Sequence, residues 1–200
     1  MERNLGEGMN LDPLLAYIGS HESKGDYNAI VWLVDKRRHP PKKLTRMTIG
    51  EVLDWQDSID RFQLSEAVGK YQIMEDTLRG LYRNAGLKAT DLFNETNQDY
   101  LATQLLRRRG LTDYLMARIS AEKFANALAH EWASLPLVSG PDKGKSVYAG
   151  DRAGNKAGGR VEAFLAAVRA IRESAPPEPP KRSIWTVILD LLSNLLGRRK

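Results

Sequence analysis

His21-Glu22-Ser23-Lys24-Gly25-Asp26-Tyr27-Asn28 closes an apolar helical segment and puts a carboxylate where a helix gives way to a turn. A second run, Ala67-Val68-Gly69-Lys70-Tyr71-Gln72-Ile73, follows about forty-five residues later. A carboxyl at such a place can deliver a proton if it stays neutral near pH 7. Partial burial against apolar groups achieves this by penalising the charged form. The negative end of the helix dipole pushes the same way. Donating that proton to the bridging oxygen of a glycosidic bond, while positive charge develops at the sugar carbon, is the reaction such an acid suits. Most helix-end glutamates are plain surface residues, so Glu22 alone decides nothing. In the second run, Gly69 lets the backbone approach a ligand closely. Gln72 offers donors and an acceptor, and Tyr71 a ring and a hydroxyl. These groups can hold an acetamido sugar. The run reads equally as a tight turn with Tyr71 packed in the core.

Glycosidases commonly pair two carboxylates, about 5–5.5 Å apart for retention and about 6.5–9.5 Å for inversion. The candidates for a second acid are Asp26, four residues after Glu22, and Asp35, beside Lys36-Arg37-Arg38. Neither is compelling. Without a second carboxylate, the substrate's acetamido group can stabilise the cation, and one glutamate can serve first as acid and then as base.

The two runs, with Trp132-Ala133-Ser134-Leu135-Pro136, Tyr148 and Lys156-Ala157 downstream, resemble the lysozyme-like lytic transglycosylases and muramidases of the phage lambda endolysin family. The resemblance covers roughly residues 14–168, in the same order. It implies a lysozyme-like fold of the mainly α, α+β type, with the catalytic Glu at the end of the first long helix and a small β-sheet beside a cleft. It implies Glu22 as the catalytic acid, with Ser23, Tyr71, Gln72, Ser134 and Tyr148 binding substrate. It favours the non-hydrolytic route to an anhydro product over hydrolysis. The stretch 137–147 is longer than the family pattern, and the Pro-rich spacer and tail have no counterpart in it.

The elements that must position these residues are mostly helical. Leu11, Leu14, Leu15 and Ile18 repeat at a helical period after Asp12-Pro13, an N-cap and first-turn pair. Residues 29–34 are β-prone and lead into a basic, Pro-containing loop, which predicts a small hairpin. Thr48-Ile49-Gly50-Glu51 is a capping box for a helix to about Ser58. Further helices are expected over 74–84, 95–109, 113–119, 121–133 and 160–173, with a long Gly-, Lys- and Asp-rich loop over 139–159. Arg107-Arg108-Arg109 reads as a solvated helix end.

The domain is assigned to residues 1–175. A stiff Pro-rich linker follows over 176–182, then an amphipathic cationic helix over 183–200. From Pro176 onward, five bases face two acids, so this tail holds +3 of the net +5. Its apolar run of thirteen residues falls short of the roughly twenty needed to span a bilayer. Trp185 suits the headgroup level. The tail therefore reads as an interfacial helix contacting membrane or outer-envelope lipid, or as a last helix packed on the domain.

Hydrophobic content of 42% and charged content of 28% belong to an ordinary globular chain. With no cysteine, disulfides, thiolate metal sites and cysteine nucleophiles are excluded. His21, His39 and His130 show no metal-ligand spacing, so neither metal nor cofactor is assigned. Nucleic acid is not an expected partner, because the bases are not concentrated on the domain with stacking aromatics. The expected partner is the glycan strand of peptidoglycan, met by a monomer. No signal peptide is read at Met1-Glu2-Arg3-Asn4, so action in the periplasm or wall requires release by other means, or carriage in a virion. A membrane-active antibacterial effector with a wall-binding domain is the alternative from another class.

Overall fold

The computed structural model describes residues 10–31, 34–62, 65–151 and 154–174. The linker and amphipathic tail expected over 176–200 lie outside the described residues. The described chain is mainly helical. It comprises α1 (Asp12–Ser23), α2 (Ile49–Asp60), α3 (Glu75–Asn84), α4 (Glu95–Arg108), α5 (Leu111–Leu115), α6 (Ala121–Ala129) and α7 (Val161–Glu173), with 3-10 turns at Lys36–Arg38 and Leu44–Arg46. Consecutive helices from α2 to α7 pack as neighbours, and α1 lies against α7.

The apolar period of α1 buries Leu14, Leu15 and Ile18 in the common core, against which Phe164, Val168 and Ile171 of α7 also pack. Tyr17 stacks on Phe164 at 5.5 Å between ring centroids. Glu22, near the end of α1, is therefore carried by one of the best-anchored helices. Asp12 does not cap α1 as the sequence suggested. Leu11 occupies the cap position, and the Asn10 side chain accepts the Asp12 N–H at 2.9 Å. An Asn oxygen reaches the amide two residues on, so the cap moved upstream.

The capping box of α2 forms as its sequence predicts, with Thr48 and Glu51 exchanging side-chain-to-backbone bonds. The expected small hairpin is not shown among the described residues, and residues 32 and 33 lie outside them. β structure there consists of the isolated bridges Ile30↔Val68, Val68↔Ile73 and Thr48↔Leu92. The chain after Asp35 turns into 3-10 structure instead, because Asp35 caps the Arg37 amide and Pro40-Pro41 cannot donate to a ladder. Helix α6 stops at Ala129, short of the expected 133. The residues that follow leave the helix to meet Tyr71 and Glu22, as described next.

Candidate functional site

Glu22 sits in the last turn of α1, half-buried. Lys24 ends the helix in the left-handed region at φ 58°. Ser134 reaches Glu22 from the segment after α6. Its hydroxyl donates to Oε1 at 2.6 Å and its N–H donates to the same oxygen at 3.3 Å. Burial raises the Glu22 carboxyl above the usual carboxylate range. The two Ser134 bonds and nearby His21 favour the charged form and oppose that rise without cancelling it.

A ring of hydrogen bonds fixes the arrangement. Ser23 Oγ donates to the Lys70 carbonyl at 2.9 Å, tying α1 to the turn 69–72. The next carbonyl in that turn, of Tyr71, accepts from Trp132 Nε1 at 3.1 Å. Trp132 is buried, and two residues later Ser134 returns to Glu22. Every link joins residues distant in the chain, so the ring holds three segments around one carboxyl.

The turn 69–72 is closed by the Val68↔Ile73 bridge. Gly69 has φ +73°, and a Cβ there would fall 2.2 Å from Gln98 Oε1. Only glycine meets both demands. Gln72 has φ +46°, a strained conformation for a non-glycine residue, and the Gly69 carbonyl accepts both its N–H and its Nε2. Gln98 supports the turn from α4, accepting from the Lys70 N–H at 2.9 Å and donating to the Tyr27 and Phe93 carbonyls.

Tyr71 does not line an open surface. It is 1% exposed, and its hydroxyl donates to Asp99 at 2.5 Å. The side chain stands as a buried strut, because the turn directs the ring inward, and its carbonyl serves the ring of bonds. Burial, then Asp99, pushes the Tyr71 phenol far above its ordinary range. Tyr27 and Lys70 join the same cluster. The Tyr27 hydroxyl donates to Asp99 at 2.9 Å, and Lys70 Nζ donates to that hydroxyl at 2.8 Å and lies 3.3 Å from Asp99. Burial works against the Lys70 ammonium, but its Tyr27 and Asp99 partners outweigh it and raise the group. Ser23 likewise ties segments together, with its hydroxyl engaged by the Lys70 and Gly19 carbonyls.

Tyr148 stands apart from the ring. Its hydroxyl donates to the His130 carbonyl at 2.9 Å, fastening the long loop to the segment after α6. An open cavity of about 360 Å³ lies nearby, lined by His130, Leu137, Asp142, Lys145 and Ser146 among others, and it includes neither Glu22 nor Ser134.

The two possible second acids are occupied elsewhere. Asp26 accepts the Asn28 N–H in its own turn at 2.8 Å. Asp35 pairs with Arg37 at 2.8 Å, and the Arg37 bonds hold its carboxyl below the usual range. Among the described residues no group of three or more His, Asp or Glu side chains could hold a metal ion.

Two supports were not read from the sequence. Gly158 donates its N–H to the Ser134 carbonyl at 2.9 Å, and a Cβ on Gly159 would fall 2.0 Å from Tyr17 Oη and 3.1 Å from His21 Nε2. The Gly-Gly pair just before α7 was the available signal for such a close approach. Glu131, with its side chain 7% exposed, is gripped by Arg108 and Arg109, each at 2.7 Å. Arg108 and Arg109 thus clamp the segment bearing Trp132 and Ser134, while Arg107 stays exposed in the last turn of α4 as the sequence suggested.

A family model described as Endolysin matches residues 31–161, which include Gln72, Ser134 and Tyr148 and begin after Glu22. No curated protein and no solved structure matches the chain.

Proposed function

The chain belongs to the endolysin family, whose role is peptidoglycan degradation in phage lysis, and from that premise we propose that it cuts the β-1,4 bond between N-acetylmuramic acid and N-acetylglucosamine as a lytic transglycosylase. Glu22 is the proposed acid and base. The observation that carries the reading is the Glu22 carboxyl itself: half-buried, raised above its ordinary range, and gripped through one oxygen by both donors of Ser134.

With Oε1 accepting two bonds, the proton of the neutral acid belongs on Oε2. Glu22 delivers that proton to the bridging oxygen as the bond from the muramic C1 breaks. The acetamido oxygen of the same sugar stabilises the cation. The glutamate is now charged, and the two Ser134 bonds favour that form. It then takes the proton of the muramic 6-hydroxyl, whose oxygen closes on C1. One bond breaks, one forms, the proton returns to Glu22, and no water is consumed. The engagement of Asp26 and Asp35 elsewhere supports a single-carboxylate route over a two-acid hydrolase. Gln72, half-buried on its strained turn, is the proposed contact to the acetamido sugar. Ser23, Tyr71 and Tyr148 are proposed as positioning residues.

Glu22→Gln removes the transferable proton and keeps the shape. Clearing of purified sacculi by this variant should fall below one-thousandth of wild type with an unchanged circular dichroism spectrum. Retained clearing would sink the assignment.

A further inference from the structure

We infer that the basic loop of residues 36–46, with Arg61 and Phe62 beside it, binds the carboxylates of the peptide stems carried by the glycan strand. The inference rests on peptidoglycan being the substrate.

Lys36, Arg37, Arg38, Lys42, Lys43 and Arg46 are all exposed. Two are neutralised, Arg37 by Asp35 at 2.8 Å and Lys42 by Glu51 at 2.9 Å. Lys36, Lys43 and Arg46 have no ion pair among the described residues. The Arg38 guanidinium lies 3.5 Å from the centroid of the exposed Phe62 ring, and Arg61 lies 5.7 Å from it. Neither stacked cation forms an ion pair among the described residues, and Arg38 adds to the pull of Arg37 that holds the Asp35 carboxyl down.

The backbone beneath these charges is fixed. Leu44 and Met47 are buried, Trp55 Nε1 donates to the Arg38 carbonyl at 2.8 Å, and the His39 ring bonds the Val34 carbonyl at 3.2 Å. A set of cations on a fixed frame loses less freedom on binding than a flexible run of lysines.

The loop also adjoins the site. The Thr45 N–H and hydroxyl both donate to Asn28 Oδ1, at 3.1 and 3.0 Å. Asn28 is six residues beyond Glu22, in the turn 26–29 that follows the end of α1. The acetamido sugars of the strand have neutral faces, while its peptide stems end in carboxylates. A strand laid beside Glu22 therefore presents its negative groups next to this loop. Exposed charges are screened beyond about 8 Å at physiological salt, so only cations this close to the strand would act. A lipid surface fits less well, because Phe62, the large apolar side chain exposed here among the described residues, carries the Arg38 guanidinium over one face of its ring.

The test uses the full chain carrying Glu22→Gln, so that binding is read without turnover. Any soluble fragments released would count against the Glu22 assignment alone. Co-sedimentation is measured with intact sacculi, with sacculi whose carboxyls have been converted to amides by carbodiimide and ammonia, and with phosphatidylglycerol vesicles. Lys36→Gln/Lys43→Gln/Arg46→Gln should bind intact sacculi at least tenfold more weakly than its parent, bind amidated sacculi equally, and melt at the same temperature. Equal binding to intact sacculi overturns the inference, as does the same loss on amidated sacculi. Loss on vesicles with unchanged binding to sacculi also overturns it, and reassigns the loop to lipid.

Discussion

Ser134 places its hydroxyl and its backbone N–H on one oxygen of Glu22, at 2.6 and 3.3 Å, across 112 residues of chain. This contact sets two opposed influences on one carboxyl. Burial favours its neutral form, and the serine bonds favour its charged form. A group that must first give and then take a proton needs both.

Removing the hydroxyl should unbalance the pair. In Ser134→Ala the carboxyl loses a bond that favours its charge, so the alkaline limb of the activity profile should move to higher pH. The turnover rate should fall about tenfold as the carboxyl loses its orientation. A pH–rate profile on purified sacculi checks both. A lower rate with an unmoved limb would make Ser134 merely structural.

Glu22 itself should weaken the fold at neutral pH. Below the ordinary carboxylate range it is neutral in folded and unfolded chains alike. As pH rises through that range, the unfolded chain ionises freely while the buried carboxyl resists, so folding stability drops. Glu22→Gln should therefore melt higher than wild type at pH 7, and the gap should close toward pH 4. Calorimetry across that range reads the difference.

Tyr71→Phe separates a buried strut from a sugar contact. Loss of the bond to Asp99 should destabilise the protein by about 1 kcal/mol. KM for peptidoglycan should stay within twofold, since the ring is 1% exposed. A KM raised tenfold with unchanged stability would return Tyr71 to the binding surface.

Gly159→Ala should be felt through α1. The new methyl would meet Tyr17, whose ring is already stacked on Phe164 and packed at a tilt against His21. Overpacking of this kind costs about 1–3 kcal/mol. Most of that penalty should vanish in a Tyr17→Ala background, a coupling that denaturant melts of the four proteins measure.

Much of the frame was legible in local sequence. The Thr48–Glu51 box and the apolar period of α1 act within a few residues, and both appear where their spacing puts them. Glu22 and Gly69 were marked by position at a helix end and in a turn. The direction of Tyr71 was not legible, because it depends on Asp99, 28 residues away. The partner of the β-prone stretch 29–34 was not legible for a related reason. Ile30 pairs with Val68, and a strand's partner is chosen by tertiary contact rather than by its own β-propensity. The early end of α6 follows too, since Trp132 and Ser134 bond more distant groups than a helix would offer.

The most direct measurement digests purified peptidoglycan in heavy-oxygen water and weighs the muropeptides released. A lone glutamate that closes the muramic 6-hydroxyl onto C1 yields anhydro ends, one water lighter than reducing ends and free of heavy oxygen. Reducing ends carrying heavy oxygen would mean that water attacks the sugar, and the single-carboxylate account of Glu22 would be wrong.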